Sequence, residues 1–147
     1  MASPVTELFS EGHRLDWINP ASRTSDMATF GWKSMRDYHK AVALVQVGAA
    51  AANATIDFKL TQATDDAGTS AKDITGKAIT VLGGGDDNVM VVVELDASEL
   101  DVSNNFDYIN GELSVGGAAA VLCSAILIRY QPRFKGVDDS NLEEVVS

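Results

Sequence analysis

The chain has 147 residues, of which 46% are hydrophobic and 22% are charged, and these values are typical of one globular domain that buries a core without metals or disulfides. Its formal net charge of −10 argues against a nucleic-acid-binding surface, which requires clustered Lys and Arg. No apolar run approaches the roughly 20 residues of a membrane span, and the first residues lack the basic and apolar segments of an export signal. We therefore expect a soluble, unexported domain with neither a nucleic acid nor a membrane as its partner.

Residues 1–39 show no sustained periodicity of either kind and contain both tryptophans of the chain. We interpret this segment as an N-terminal arm with short irregular strands. Phe9, Trp17 and Trp32 are its candidate assembly contacts, because large aromatic side chains anchor interfaces at a low entropic cost. Aromatic rings in such a segment more often pack over the domain's own core, and contact with a partner is the alternative.

Two different strand patterns follow the arm. Residues 40–47, KAVALVQV, are apolar at both odd and even positions, which predicts a strand that is buried on both faces or lies at the centre of a sheet. After a turn of small residues at 48–53, Ile56, Phe58 and Leu60 alternate with polar side chains. That period of two predicts a strand with one buried and one solvent-facing side. A polar loop is expected over residues 61–72.

The next apolar run, at residues 78–82, is followed by GGGDDN and then by VMVVVEL at residues 89–95. Two β-type runs separated by a cluster of Gly and Asp predict a hairpin. Residues 96–105 are expected to contain one turn of helix, with Asp96 or Ser98 as its N-cap.

Two further strands are predicted near the end of the chain. In residues 106–115, Gly111 is expected to mark a bulge or the close approach of another strand. The longest strand is predicted over residues 120–131 and should end at Pro132. One of its faces should hold Leu122, Ile126, Ile128 and Tyr130, and the other Val121, Cys123, Ala125 and Leu127.

These short β-type runs predict an all-β fold, a β-sandwich of about eight strands that is jelly-roll-like or another Greek-key type. Within one domain, we expect an irregular N-terminal arm at 1–39, a sandwich body at 40–132 and a short acidic C-terminal tail at 133–147. An α+β fold is the alternative, if residues 48–53 or 96–102 form a longer helix.

No arrangement of residues indicates catalysis. His13, His39 and Cys123 lack the spacing of a zinc site, and Cys123 lies in an apolar run that predicts a buried, inert thiol. The glycines at 83–85 lack the Lys and Ser/Thr of a phosphate-binding loop. Acidic pairs at 65–66, 86–87 and 138–139 are interpreted as solvated turn residues, with calcium ligation as the alternative. We expect no catalytic residue, no cofactor and no metal.

Three runs of the sequence together resemble a known class of protein. They are TIDFKLTQATDDAGTSAKDITGKAIT, ELDASELDVSNNFDYI and LSVGGAAAVLCSAILIRYQP, and they resemble small virion proteins encoded beside the capsid genes of tailed bacteriophages. The most specific parts are residues 62–65, 71–77 and 99–102 with Phe106 and Tyr108. The resemblance covers residues 40–146 and leaves the arm without a counterpart.

The resemblance implies a non-enzymatic decoration (cement) protein on the capsid exterior, made in the host cytoplasm and then bound to the virion. Its expected partners are the major capsid protein and further copies of itself. Because one small interface leaves little affinity after the costs of association, clustered copies are expected, as a homotrimer on threefold positions or alternatively as a dimer on twofold axes. Another virion structural protein, such as a head–tail connector or tail component, is the second hypothesis, and a carbohydrate-binding sandwich is the third.

Overall fold

The computed structural model describes residues 12–134 and consists of ten strands and two single turns of 3-10 helix, at Ala97–Glu99 and Val102–Asn104. The predicted all-β class is therefore confirmed. The strands are β1 (Arg14–Arg23), β2 (Asp26–Thr29), β3 (Lys33–Ser34), β4 (Tyr38–Ala50), β5 (Thr55–Ala63), β6 (Lys72–Ala78), β7 (Leu82–Gly83), β8 (Val89–Asp96), β9 (Tyr108–Gly116) and β10 (Val121–Pro132).

The strands form two antiparallel sheets. The first sheet has the order β1-β10-β4-β8, and the second has the order β2-β9-β5-β6, to which β3 adds on β9 and β7 adds on β5. Along the eight longer strands the chain passes from one sheet to the other at β1–β2, β2–β4, β4–β5, β6–β8, β8–β9 and β9–β10. Two four-stranded paths connected in this way form a jelly roll, as the sequence predicted.

The predicted hairpin around the GGGDDN turn is wrong. β7 pairs with β5 in the second sheet, whereas β8 pairs with β4 in the first sheet, so this turn carries the chain across the sandwich. The turn lies directly against the β4–β5 connection. A Cβ added at Gly84 would lie 2.3 Å from the carbonyl oxygen of Ala51, a contact that only glycine permits.

Part of the segment expected as an arm belongs to the sandwich. β1 pairs with β10 from Arg14↔Arg129 to Arg23↔Val121, with one irregularity between Ile18 and Ala21. The first sheet thus begins at Arg14, and the expected start of the body at residue 40 does not coincide with the start of the sheet. Aperiodic side chains hid β1, because an edge strand with a bulge lacks a regular alternation.

The segment after β8 contains the expected single turn of helix. The carboxylate of Asp96 accepts from the backbone N–H of Ser98 at 2.9 Å, and the carboxylate of Glu99 accepts from the N–H of Asp96 at 2.8 Å. This reciprocal capping box confirms Asp96 as the N-cap. β4 continues to Ala50 and no α-helix occurs in residues 12–134, so the α+β alternative is wrong.

The core lies between the inner faces of the two sheets. The second sheet contributes Ile56, Phe58 and Leu60, which are fully buried as their alternation predicted. The first sheet contributes Val45 and Leu127, which are equally inaccessible. The predicted faces of β10 are also confirmed, because the side chains of its inner set are all buried: Val121, Cys123, Ala125 and Leu127.

Gly111 marks a close approach, as expected, but to side chains rather than to another strand. β9 keeps a regular register with β5 through the Leu60↔Gly111 pair, so there is no bulge. A Cβ at position 111 would lie 2.6 Å from the ring of Phe30 and 2.8 Å from that of Phe58. These rings meet edge to face with centroids 6.2 Å apart, a favourable aromatic geometry.

Replacing Gly111 with alanine should therefore destabilise the protein. The added methyl must displace two buried rings, and overpacking of this kind costs roughly 1–3 kcal/mol. The measurement is the free energy of unfolding in urea. Gly85→Ala is the matched control, because a Cβ there meets no atom within 4 Å, and its effect should stay below about 0.5 kcal/mol. Equal losses for the two variants would contradict the packing described for Gly111.

Candidate assembly surface

The outer face of the first sheet is apolar. Its register aligns Trp17 with Ile126, Ile126 with Leu44, and Leu44 with Val92, so a row of four large apolar side chains crosses all four strands. Trp17 is 45% exposed and Val92 is 52% exposed. Residues aligned in this way are direct neighbours on one face of a sheet, and the row is therefore one continuous strip.

Further apolar side chains widen this strip along the strands. The set, called the apolar face below, consists of Trp17, Val42, Leu44, Met90, Val92, Leu122, Ile126 and Ile128. Gln46 and Ser124 lie between Leu122 and the rest of the set, Glu94 stands opposite Val42, and Lys40 with Asp96 borders the face at its other end. Isolated exposed apolar residues are ordinary, but a contiguous patch with a polar border marks an interaction site.

The outer face of the second sheet is polar by contrast. The ammonium group of Lys59 lies 2.8 Å from a carboxylate oxygen of Asp73 and 3.6 Å from one of Glu112. Asp57 and Ser114 are paired on the same face. This sheet therefore follows the usual alternation of an antiparallel sheet with one face in water, and only the first sheet departs from it.

A shallow depression of about 330 Å³ lies at one end of the apolar face. It is lined mainly by apolar atoms, and its lining includes Pro20, Gly48 and Leu122. Leu122 is 50% exposed. The apolar face is thus not flat, and the depression offers a place for one apolar side chain of a partner.

The three candidate contacts of the sequence stand in different places. Trp17 lies on the apolar face, where its indole N–H donates to Asn19 Oδ1 at 3.1 Å. Trp32 is half-buried, and a Cβ on Gly68 would lie 2.3 Å from its Nε1, so its ring packs on the loop after β5. Phe9 lies outside the described residues. The structure therefore does not bring Trp17 and Trp32 onto one surface.

The sequence of β4 already indicated part of the apolar face, because this strand is apolar at both odd and even positions. β4 was expected to be buried on both faces or central in its sheet, and it is indeed flanked by β10 and β8. Its outward side chains, Val42 and Leu44, are only half-buried. β4 packs on the core with only one of its faces, yet the side chains of both faces are apolar. The outward apolar face therefore indicates a second surface that a partner would cover.

No chemical site is apparent in the part of the chain that the structure describes. No three His, Cys, Asp or Glu side chains of residues 12–134 come together as metal ligands, and no helix there is long and apolar enough to cross a bilayer. In the acidic pair at 65–66, Asp65 stabilises its own turn, because its carboxylate accepts from the backbone N–H of Thr69 at 2.9 Å. The hydroxyl and this N–H of Thr69 lower the pKa of Asp65. Asp86 and Asp87 accept from the N–H groups of Gly83 and Ala50.

Cys123 is buried, and this desolvation raises the pKa of its thiol. Because the thiolate is the reactive form, the native protein should react with Ellman's reagent about a hundredfold more slowly than the protein unfolded in guanidinium. Equal rates before and after unfolding would show that the thiol is accessible and would contradict the burial of the inner face of β10.

No protein-family model matches the chain, and no curated protein matches it. Similar solved structures include a subunit from a study of Bacillus endospore appendages as disulfide-linked pili, with a TM-score of 0.42, 12% identity and coverage of 89% of this chain and 98% of that one. A chain of the cowpea mosaic virus empty particle is similar with a TM-score of 0.47 and 12% identity, with coverage of 92% of this chain and 88% of that one.

A structure of the Gx strain of infectious bursal disease virus is similar with a TM-score of 0.49 and 8% identity. The match covers 86% of this chain but only 34% of that one. At such identities and TM-scores these likenesses concern the type of fold alone. The jelly-roll assignment rests on the strand order itself.

Proposed function

We propose that this chain is a non-enzymatic structural subunit that binds the outside of a tailed-phage capsid as a decoration protein. The apolar face of the first sheet is the observation that carries the proposal. A domain that leaves large side chains such as Trp17, Leu122 and Val92 half exposed keeps a surface for a protein partner. The phage capsid comes from the sequence resemblance, which names the partner that such a surface would meet.

The two opposite faces of the sandwich suit this role. The apolar face would lie against the shell, and the charged face around Lys59 and Glu112 would point into solvent. The chain's net charge of −10 would then keep decorated particles apart, because like-charged surfaces repel each other. A sandwich places these two faces on opposite sides of one rigid core, so attachment and repulsion do not interfere.

The size of the apolar face limits what one copy achieves. Four strands at the usual spacing, over the eight-residue length shared by β4 and β8, cover about 500 Å². Stable interfaces bury about 800 Å² on each partner. One copy therefore binds weakly alone, and joined copies that present several faces to the shell bind more tightly.

Two variants test the apolar face. Leu122→Lys places a charge at its depression, and we expect at least about a tenfold weaker affinity for shells that lack the protein, or about 1.4 kcal/mol. Met27→Lys is the matched control, because Met27 is 57% exposed on β2 in the second sheet; its affinity should remain within about twofold of the original, or about 0.4 kcal/mol. Unchanged binding by Leu122→Lys would contradict the proposal.

The position in the virion is tested by counting copies. A decoration protein should be present in purified particles at a number comparable with that of the major capsid protein, measured by quantitative mass spectrometry. Only a few copies per particle would instead support a connector or tail component. Absence from particles, with retention of the isolated domain on a glycan column, would support the carbohydrate-binding alternative.

The predicted role of Phe9 requires a shorter truncation than the whole arm. Removing residues 1–20 would delete most of β1, which pairs along β10, and would damage the first sheet. Removing residues 1–11 keeps all of β1. If the arm contacts the shell or a neighbouring copy, this shorter variant should keep its melting temperature and bind shells more weakly. Unchanged occupancy would show that the arm has no such role.

A further inference from the structure

The four outermost strands of the two sheets differ in how well they are protected from pairing with another chain. β1 is irregular and contains Pro20, β2 has only four residues, and β6 loses its register with β5 and contains Gly76. Irregularity, shortness and proline are the features that prevent unwanted strand addition. β8 has none of these features.

β8 is long, regular and apolar. It pairs with β4 through eight consecutive residues, from Lys40↔Asp96 to Val47↔Val89, without a bulge. Its sequence VMVVVELD contains neither lysine nor proline. Among residues 12–134 no strand pairs with its other edge. Beside that edge, open space of about 500 Å³ separates Val92 and Glu94 from Gly76 and Ala78 of β6 in the second sheet.

The hydrogen-bond pattern shows which backbone groups the free edge presents. The N–H of Asn88 donates to the carbonyl of Gly48 at 3.0 Å, one step beyond the last pair of β8 with β4. Bonded and non-bonded pairs alternate along antiparallel strands, so the even-numbered residues of β8 bond to β4. The odd-numbered residues direct their N–H and C=O groups to the free edge, and these are Val89, Val91, Val93 and Leu95.

We propose that two copies of this chain pair antiparallel through β8, about a twofold axis perpendicular to the first sheet, and form one continuous eight-stranded sheet. A register centred on Val92 pairs Val91 with Val93 of the second copy and Val89 with Leu95. All four residues with free backbone groups are then satisfied on both copies. The addition of a strand to an exposed sheet edge is an established mode of recognition.

The charge distribution of β8 favours a second copy as the occupant. Glu94 and Asp96 are its only charged residues, and both lie at its C-terminal end. In the antiparallel pair, Glu94 faces Met90 of the other copy and Asp96 faces Asn88, so the acidic ends stay apart. Copies of a chain with a net charge of −10 repel each other, and β8 provides a contact whose central residues carry no charge.

The pairing has a consequence for the apolar face. Val92 belongs to the row that crosses the first sheet, and in the dimer it lies opposite Val92 of the second copy, so the two apolar faces become one surface of about 1,000 Å². Each free edge accepts one strand, which makes this contact a twofold one and distinguishes it from the predicted trimer. The dimer does not require a shell and is independent of the proposed function.

The test is the mass of the full-length chain in solution, with two variants that carry the same substitution. Sedimentation equilibrium should give twice the 15.6 kDa chain mass. Val92→Lys places two lysines opposite each other across the new pair, and we expect at least about a tenfold rise in the dimer dissociation constant. Val81→Lys is the control, because Val81 is 53% exposed outside the strands, and it should remain dimeric.

A second measurement locates the contact. The amide protons of Val89, Val91, Val93 and Leu95 should exchange slowly at concentrations that favour the dimer and rapidly in dilute monomer. Val91→Pro removes one free-edge N–H without removing a bond to β4, and it should give a folded monomer. A monomer at all concentrations would overturn the proposal, and so would a trimer. It would also be overturned by a dimer that Leu122→Lys dissociates and in which the four amides exchange freely.

Discussion

The contact between the inner faces of the two sheets is the interaction on which the rest of the molecule depends. Phe58 and Leu60 from one sheet and Val45 and Leu127 from the other are completely shielded from water, and burial of such side chains contributes about 1.5–3 kcal/mol each. This contact uses one face of each sheet. The outer faces are free to differ, and the apolar outer face of the first sheet is therefore available for assembly rather than for folding.

The outer face and the free edge of the first sheet meet at β8. The side chain of Val93 packs in the core, and that of Val92 lies on the apolar face. The backbone N–H and C=O of Val93 point to the free edge of β8, so two neighbouring residues contribute to the core, the apolar face and the free edge. Polar substitutions elsewhere on the surface of a jelly roll are mostly neutral. In β8 they would change the proposed contact, because this strand combines high β-propensity with an unpaired edge.

The sequence predicted the strands with clear alternation or a continuous apolar run, and it did not locate the strands of the N-terminal segment. In β5 and β10 the period of two separated inner from outer side chains, because each strand has one core beneath it. β1 was hidden by its bulge and by Pro20, and the partner of β8 was assigned to the wrong strand, because local runs do not reveal that a glycine turn crosses between sheets. The apolar face was readable in β4, but only the structure showed that one of its two apolar sides has no covering layer.

The pairing of β1 with β10 determines when the protein completes its fold. Asp16 on β1 accepts from the guanidinium group of Arg129 on β10, which is 113 residues away in the sequence, and that same group donates to the carbonyl oxygen of Ser34. While the ribosome is still synthesising the chain, β1 has no partner and β4 lacks its neighbour β10. The first sheet is completed only after β10 has left the exit tunnel, because β10 pairs with both β1 and β4. Until then, the inner face and the apolar face of β4 lack the cover and the neighbour that β10 gives them, and such transiently exposed apolar surface is prone to aggregation.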